Sequence, residues 1–383
     1  MSGSRMPGAA LSRRQFLALA GTALASAAGA ASGLAGCAAS GGTGSGQAAS
    51  SAATQTLTDC VGRSVELPVA PARVAGLDSF TGELMVMCGA GEQLVATPAG
   101  VTSDVLLCEL YPQLASVPAP MTSGTINFEE LAACEPDVVL VKQSVYETSG
   151  EQELLDAMGV PYAVVGYAGI DGQIAAMRLV GSVCGGEVQQ RAEALVGYYE
   201  DVVAECEERT AGLAEAQKAR VYHSINALVA TDGATSLGAD WVTRAGAVNV
   251  GAENDSAATA TDYNATLEQI LAWDPDVFVC NSADSTAYLL EKASCAGLSA
   301  VQAGRCYTIP VGTTRWGQAG SVETYLAMLW LGCTIYPDLY ADVDLQQRVT
   351  AYYADYLGIE VDDALYEQML SGVGLRQQSA QAG

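Results

Sequence analysis

The sequence predicts an α/β protein of two lobes, each with a mainly parallel sheet flanked by helices, joined by one long rigid helix. The first observation is a duplicated fragment: residues 128–141 read FEELAACEPDVVLV, and residues 267–280, starting 139 positions later, read LEQILAWDPDVFVC. The second is a long stretch between the copies, residues 185–213, whose apolar side chains keep the three-to-four spacing of an amphipathic helix. A repeat on either side of one helix predicts two similar lobes with a cleft between them.

Each copy of the repeat predicts a helix, a turn and a buried strand. An N-cap residue opens each copy and a Glu or Gln follows three positions later, which is the pattern of a capping box: Asn127 with Glu130, and Thr266 with Gln269. Pro136 and Pro275 end the two helices because proline disfavours helical geometry in the residue before it. The apolar runs DVVLV and DVFVC then read as strands buried on both faces of a parallel sheet.

Further segments extend this pattern into two lobes, which we place at 56–166 and 216–375. TLTDCVGRSVELP (56–68) alternates about Gly62 and predicts a leading hairpin. Other predicted strands are RVAGLD (73–78), QLVATP, VPYAVVG, ARVYHSI (219–225) and RCYTIPV (305–311), and the predicted helices include EQELLDAMG and VETYLAMLWLGCTIY (322–336).

The segment 167–215 is predicted to link the lobes. Its apolar positions support about 25 helical residues, which reach roughly 37 Å at 1.5 Å per residue. A helix of that length can brace both lobes.

The N-terminal residues 1–36 resemble a twin-arginine export signal that ends in a lipoprotein signal-peptidase box. Arg13 and Arg14 precede an uncharged apolar run, and the run ends at LAGC with Cys37 as the residue that would carry the lipid. The alternative is a weak transmembrane helix, since the run is long enough but rich in Ala and Gly. Residues 37–55 are small and polar and predict a flexible tether, and residues 376–383 predict a disordered tail.

Composition narrows the range of partners and sites. The formal net charge of −26 over 383 residues argues against nucleic acid and anionic membrane surfaces as partners. His223 is the only histidine, so a site built from several histidines is excluded, and we expect no metal site. The 11 cysteines leave two alternatives open. Export would permit disulfides, with Cys295 and Cys306 as a weak candidate pair, and buried free thiols are equally compatible.

These features resemble one known family, the helical-backbone (class III) periplasmic binding lipoproteins of ABC importers for iron(III)-siderophores, cobalamin and haem. The resemblance covers about residues 56–357 and rests on TDCVGRSVELPVAPARV (58–74), the two PDV units, the bridging helix and ETYLAMLWLGCTIYPDLYADVD (323–344). It implies a ligand held between the lobes with small closure. It also implies that Glu129 and Glu268 meet arginines of the permease, although an acid in the first turn also stabilises a helix by itself.

The ligand is expected beyond the carboxyl ends of the strands, where open α/β sheets present their loops. Aromatic residues at these ends would supply flat contact surfaces, and Arg315 with Lys142 would pair with an anionic chelate. Every one of these side chains also has a structural alternative, the histidine most of all. The candidate ligand contacts are Phe80, Tyr146, Tyr167, His223, Thr314, Arg315 and Trp316.

The sequence therefore predicts an extracytoplasmic substrate-binding protein, lipid-anchored and monomeric, that delivers an iron(III)-siderophore to an ABC permease. Cobalamin or haem is the alternative cargo, and an oxyanion such as molybdate is less favoured. No resident cofactor is expected. An exported enzyme is disfavoured because the chain has no G-x-G-x-x-G, P-loop or G-x-S-x-G motif. A surface scaffold lipoprotein remains as the third class.

Overall fold

The computed structural model describes residues 53–122, 124–253 and 261–374. The proposed export signal with Arg13 and Arg14, the lipidation site Cys37, most of the tether and the tail 376–383 lie outside the described residues. Within the described ranges, no helix combines the length and the apolar character that crossing a bilayer requires.

The N-terminal part of the fold is a hairpin followed by a four-stranded parallel sheet. The predicted hairpin is confirmed, since its two strands pair antiparallel around Gly62, which has a φ of 82°. The sheet has the order β4-β3-β7-β8, and a small antiparallel pair, β5-β6, lies beside it. The strands are β1 Thr54–Thr58, β2 Ser64–Pro68, β3 Val74–Gly76, β4 Leu94–Ala96, β5 Met121–Thr122, β6 Thr125–Ile126, β7 Val138–Lys142 and β8 Tyr162–Val165.

The C-terminal part contains a six-stranded sheet with the order β12-β10-β9-β13-β14, and β11 also pairs with β9. The β9, β11, β13 and β14 pairings are parallel, as predicted. An antiparallel edge formed by β10 and β12 was not predicted. The strands are β9 Arg220–Ser224, β10 Ala230–Asp232, β11 Val248–Asn249, β12 Asp262–Asn264, β13 Val277–Cys280 and β14 Cys306–Thr308.

The helices of the first half surround the first sheet and include the long helix. They are α1 Ser79–Met87, α2 Ala99–Thr102, α3 Val105–Leu110, α4 Phe128–Ala133, α5 Gln143–Tyr146, α6 Glu151–Met158, α7 Ile170–Cys184 and α8 Gly186–Thr210. Those of the second half are α9 Leu237–Arg244, α10 Leu267–Trp273, α11 Ala283–Glu291, α12 Ser299–Gln302, α13 Thr324–Ile335, α14 Leu345–Tyr352 and α15 Asp363–Leu370, with a π-helical turn at Tyr353–Leu357.

The predicted long helix is confirmed as the 25-residue α8. It does not stand alone, because α7 runs antiparallel along it after a reversal at Gly185 and Gly186, which have φ values of 69° and 53°. The buried side chains of α7, α8 and α13 belong to one hydrophobic core that also contains one face of each sheet. The first sheet lies inside 56–166, the second inside 216–375 and the helix pair inside 167–215, and we keep these ranges as proposed boundaries.

The two copies of the repeat have the same backbone geometry. In both, the residue before the proline leaves the helical region with positive φ, 44° at Glu135 and 40° at Asp274. The predicted N-caps are confirmed: Asn127 accepts from the N–H of Glu130, and Thr266 forms a complete capping box with Gln269. The helix ends within one residue of the same position in the two lobes, at Ala133 and at Trp273, and the proline follows shortly after in both.

The aspartate of each PDV unit fastens the neighbouring strand. Asp137 Oδ2 accepts from the backbone N–H of Arg73 at 2.9 Å, and Asp276 Oδ2 accepts from that of Arg220 at 2.9 Å. The guanidinium groups of these two arginines donate back to the carbonyl oxygens of Cys134 and Trp273, which are equivalent positions in the two copies. Each copy of the repeat thus specifies hydrogen bonds to the neighbouring strand, in addition to its own helix and strand.

All ten cysteines of the described residues are free thiols. The candidate pair Cys295 and Cys306 is among them, and Cys295 is fully buried in the core of the second sheet. Burial raises the pKa of Cys306 to about 11, which keeps this thiol protonated and unreactive at neutral pH.

We predict opposite effects for the same substitution in the two copies of the repeat. A left-handed backbone conformation destabilises the folded state by about 1–2 kcal/mol at a non-glycine residue. A change to glycine relieves this strain, but glycine also makes the unfolded chain more flexible, which offsets about 0.4–1 kcal/mol of the gain. Glu135→Gly should therefore leave stability unchanged or raise it by up to about 1 kcal/mol. Asp274→Gly should lower it by about 1–2 kcal/mol, because Asp274 accepts hydrogen bonds from Ser299 N and Oγ, both at 2.7 Å.

Urea unfolding of the two variants and the wild-type chain measures both effects. Equal losses of stability at the two positions would show that positive φ is not the strained feature of the repeat.

Candidate ligand-binding cleft

A cavity of about 480 Å³ lies between the two halves of the molecule. Asp78 and Ser79 follow β3 and Lys142 ends β7, so the first half reaches the cavity from the carboxyl ends of its strands. The second half reaches it through residues 311–315, which follow β14, and 318–321, which precede α13. This is the position that the open parallel sheets predict, and the volume is that of a small-molecule site.

Two cations line the cavity from opposite sides. Lys142 belongs to the first half and Arg315 to the second, and the Nη1 of Arg315 donates to Gln318 Oε1 at 2.7 Å. Both are partly exposed. An anion between them would therefore meet positive charge from each lobe.

Four hydroxyl groups also line the cavity. Thr313 and Thr314 lie on the loop that carries Arg315, and the Oγ1 of Thr314 lies 2.6 Å from the Oγ of Ser321. Ser79 contributes a fourth hydroxyl from the first turn of α1. Such groups donate to oxygen-rich ligands without adding charge.

A carboxyl group from the first half forms part of the floor. Glu83 is fully buried on α1 and reaches the second half, where its oxygens accept from the hydroxyl of Thr313 and, at 3.2 Å, from the N–H of Val322. Burial, with the nearby Glu323, raises the pKa of Glu83 well above its usual value. Burial likewise raises the pKa of Glu323 to about 7, although its hydrogen bond from Tyr353 opposes the rise.

Two further acids border the cavity, and both are almost fully buried. The side chain of Asp104 caps α3 by accepting from Leu107 N at 2.8 Å. Burial raises the pKa of Asp78, although the positive charge of Lys142 opposes the rise. The raised pKa values of Asp78 and Glu83 favour the neutral forms of these two acids.

Of the seven predicted ligand contacts, Thr314 and Arg315 line the cavity and the other five do not. Phe80 and Trp316 are completely buried. Phe80 packs on Tyr167, with ring centroids 4.8 Å apart, so these two rings lie behind the cavity wall. The expectation of an aromatic surface in the cleft is not met, because the aromatic residues next to the strand ends pack inward.

Tyr146 lies on the other face of the first sheet. The guanidinium of Arg63 stands 4.8 Å from its ring centroid and 4.4 Å from that of Tyr162, and it also pairs with Asp59 at 2.9 Å. Tyr146 therefore helps to hold the leading hairpin against the sheet.

His223 is buried beneath the second sheet's carboxyl edge. Its Nδ1 lies 2.7 Å from Asp232 Oδ2 and its Nε2 lies 3.0 Å from Asn281 Oδ1. Burial opposes the charged imidazolium, but Asp232 outweighs this and the pKa of His223 is raised. Both ring nitrogens are thus hydrogen-bonded within the protein. His223 therefore has a structural role, which was the alternative to ligand binding.

Sequence reasoning missed Glu83 and Thr313 as residues of the cleft. The available signal was an acidic residue in SFTGELMVM, a helix in which residues 80–87 are all buried. An acid at a wholly buried position must be hydrogen-bonded or protonated, and this often marks a site. Within the described residues, no group of three or more His, Cys, Asp or Glu side chains is arranged to hold a metal ion.

Two α/β sheets about a helical layer, with a polar cavity at the strand ends between them, define a solute-binding protein of class III architecture. Residues 74–311 match the model of the family described as periplasmic binding protein, and the chain belongs to that family. It follows that this is an extracytoplasmic substrate-binding protein of an ABC importer rather than an enzyme.

Individual relatives share the fold at low identity. The chain is 24% identical over 332 residues to the molybdate-binding protein MolA of Haemophilus influenzae, covering 80% of this chain and 92% of the relative. The structure of molybdate-bound MolA superposes with a TM-score of 0.70 at 23% identity, covering 80% of this chain and 99% of that chain.

A periplasmic solute-binding protein of Veillonella parvula superposes with a TM-score of 0.69 at 24% identity, over 83% of this chain and 97% of that one. The vitamin B12-binding protein BtuF of Vibrio cholerae superposes with a TM-score of 0.55 at 18% identity, over 70% and 98%. These structures show the shared fold.

Proposed function

We propose that the cleft captures a compact anion that presents several oxygen atoms, with a tetrahedral oxyanion of the molybdate type as the first candidate. The observation that carries this proposal is the placement of Lys142 and Arg315 on opposite lobes around one cavity. Hydroxyls of Ser79, Thr313 and Thr314 add donors around the same space. The likeness to a molybdate-binding relative supports the same chemistry.

An anionic iron(III)-siderophore is the second candidate cargo. Its support is the volume of about 480 Å³, which exceeds the space that a single four-oxygen anion needs and suits a small chelate. Cobalamin and haem have less support, because no aromatic side chain is found among the described residues that line the cavity. A flat macrocycle would need such ring faces.

We predict that replacing either cation weakens anion binding. Lys142→Gln and Arg315→Gln should each lower the affinity for the bound anion about 10- to 100-fold, since a hydrogen bond to a charged group contributes about 1.5–3 kcal/mol. Isothermal titration with molybdate, tungstate, sulfate, phosphate, ferric hydroxamate, ferric catecholate and cyanocobalamin identifies the cargo and measures the loss.

Lys292→Gln is the matched control, because Lys292 is exposed near the ring of Tyr288 and does not line the cavity. Tight binding of cobalamin, or anion binding that both cation variants leave unchanged, would contradict the anion proposal.

We propose further that Glu129 and Glu268 dock the protein, as a monomer, onto the permease. Both are exposed in the first turn of equivalent helices, α4 and α10, while the caps are completed by Asn127 with Glu130 and by Thr266 with Gln269. Two acids in matching positions on two lobes suit a transporter built from paired permease subunits.

Charge reversal at both glutamates should abolish transport without changing cargo affinity. The double variant Glu129→Arg with Glu268→Arg is compared in a cell uptake assay with Glu130→Arg and Gln269→Arg, which place the same charges one residue further along. If the first variant retains uptake, or if the second variant loses it to the same extent, Glu129 and Glu268 do not form the docking surface.

We propose that Arg13 and Arg14 direct export through the twin-arginine route and that a lipid on Cys37 anchors the mature protein. The support is the order of the motif, the apolar run and the LAGC box. Cys37→Ser should release the protein from the membrane fraction, and Arg13→Lys with Arg14→Lys should retain the precursor in the cytoplasm. Unchanged fractionation of either variant would overturn that half of the proposal.

A further inference from the structure

Glu83 connects the two halves of the molecule directly beneath the cavity. It lies on α1 of the first half, and three of its hydrogen-bonding partners lie in the second: the hydroxyls of Thr313 and Thr314 and the N–H of Val322. Glu83 is fully buried, and Thr313 is 6% exposed. Glu83 and both threonines line the cavity, so the same hydroxyls face a carboxyl group on one side and the cargo space on the other.

The hydrogen of a hydroxyl group can serve one acceptor at a time. When Glu83 is ionised its oxygens only accept, so the hydrogen of Thr313 is committed to Glu83. When Glu83 is protonated, its own O–H can donate to Thr313 Oγ1, and the hydrogen of that hydroxyl can turn to an acceptor in the cavity. The oxygen atoms need not move, because only the direction of the hydrogen bond is reversed.

Several ionisable groups surround this contact and decide how readily Glu83 holds a proton. Glu323 lies on the second half beside it and accepts from Tyr353 OH and, at 3.2 Å, from Thr314 N. Burial raises the pKa of Glu83 and of Glu323, and each negative charge disfavours the other. The other groups that face Glu83 are Asp104, Asp78, Tyr167, Tyr352, Lys142 and Arg315.

We propose that Glu83 is a positioning residue whose proton controls whether Thr313 donates to an anion in the cleft, so that anion capture is linked to protonation. An anion beside Glu83 also repels its negative form, which couples binding to proton uptake in the same direction. This inference rests on the proposed function. It assigns to Thr313 a hydrogen bond to the anion, and to the Glu83 carboxyl group a control of that bond by pH.

The raised pKa values of Glu83 and Glu323 determine the direction in which anion affinity changes with pH. The binding-competent, protonated form is fully present at low pH and is lost as pH rises through the titration of the Glu83 and Glu323 pair in the folded protein. Affinity for molybdate should be highest at the acidic end of the measured pH range and should fall as pH rises, by up to roughly tenfold per pH unit. Proton uptake per bound anion should rise over the same range from near zero toward about one.

Titration calorimetry of the mature chain with molybdate, in buffers of different ionisation enthalpy, measures affinity and proton uptake together. Glu83→Gln keeps the hydrogen bonds of a neutral carboxyl group, so its affinity for molybdate should fall less with rising pH than that of the wild type, since only Glu323 of the pair still titrates. Thr313→Val should bind weakly at every pH, and Thr313→Ser should restore both the affinity and its dependence on pH.

Infrared spectroscopy of the ligand-free protein provides a second readout that does not depend on cargo. The carbonyl band of a protonated carboxyl group should be present at about pH 6 and weaker in Glu83→Gln. If Glu83→Gln does not fold, the Thr313→Val and Thr313→Ser pair decides, since a role confined to packing would not restore the pH dependence through a hydroxyl.

The outcomes separate this inference from the proposed function. If no anion of the panel binds the wild-type protein at any pH, the proposed function is overturned and the inference with it. If molybdate binds but the affinity does not change with pH, or changes identically in the wild type and Glu83→Gln, the inference alone is overturned. A dependence on pH that is clearly weaker in Glu83→Gln than in the wild type supports it.

Discussion

The rest of the structure depends on one hydrophobic core that runs through the helical layer into both sheets. Tyr199 and Val196 of α8, Val180 of α7 and Leu329 of α13 are completely or almost completely buried in it, together with strand residues of each sheet. Polar contacts reinforce the layer, since Gln173 of α7 donates to Ser321 O at 2.8 Å. Packed cores resist continuous deformation, so this core opposes changes in the separation of the two lobes.

Polar groups are buried at the boundary between the two lobes, with Glu83 and Thr313 as the main examples. Glu83 would be costly in a site that opened fully, because each opening would break its contacts with Thr313 and Val322. The hydrogen bonds from Thr313 and Thr314 to Glu83 hold the loop that presents Arg315 against α1. Rigidity supplied by apolar packing therefore makes it possible to use a buried carboxyl group as part of the binding apparatus.

The elements predicted correctly were those whose signals are local. The caps at Asn127 and Thr266, the turns before Pro136 and Pro275, and the periodicity of α8 each depend on residues within a few positions of one another. The cavity was less predictable, because which face of a strand-end loop meets it depends on the orientation of the other lobe. Arg315 and Trp316 are adjacent, yet one lines the cavity and the other is fully buried. Sequence order alone could not separate them.

The two cations of the cleft contrast with the strongly negative charge of the whole chain. A protein with a formal net charge of −26 repels small anions at long range, so an anion site on it must overcome that field locally. Lys142 and Arg315 line one cavity, where screening by salt is weaker than at the open surface, and burial favours the neutral forms of Asp78 and Glu83. Selectivity then depends on the number of donors that the cargo can use at once. Under the proposed function, the hydroxyls of Thr313 and Thr314 add donors to the cleft without adding charge.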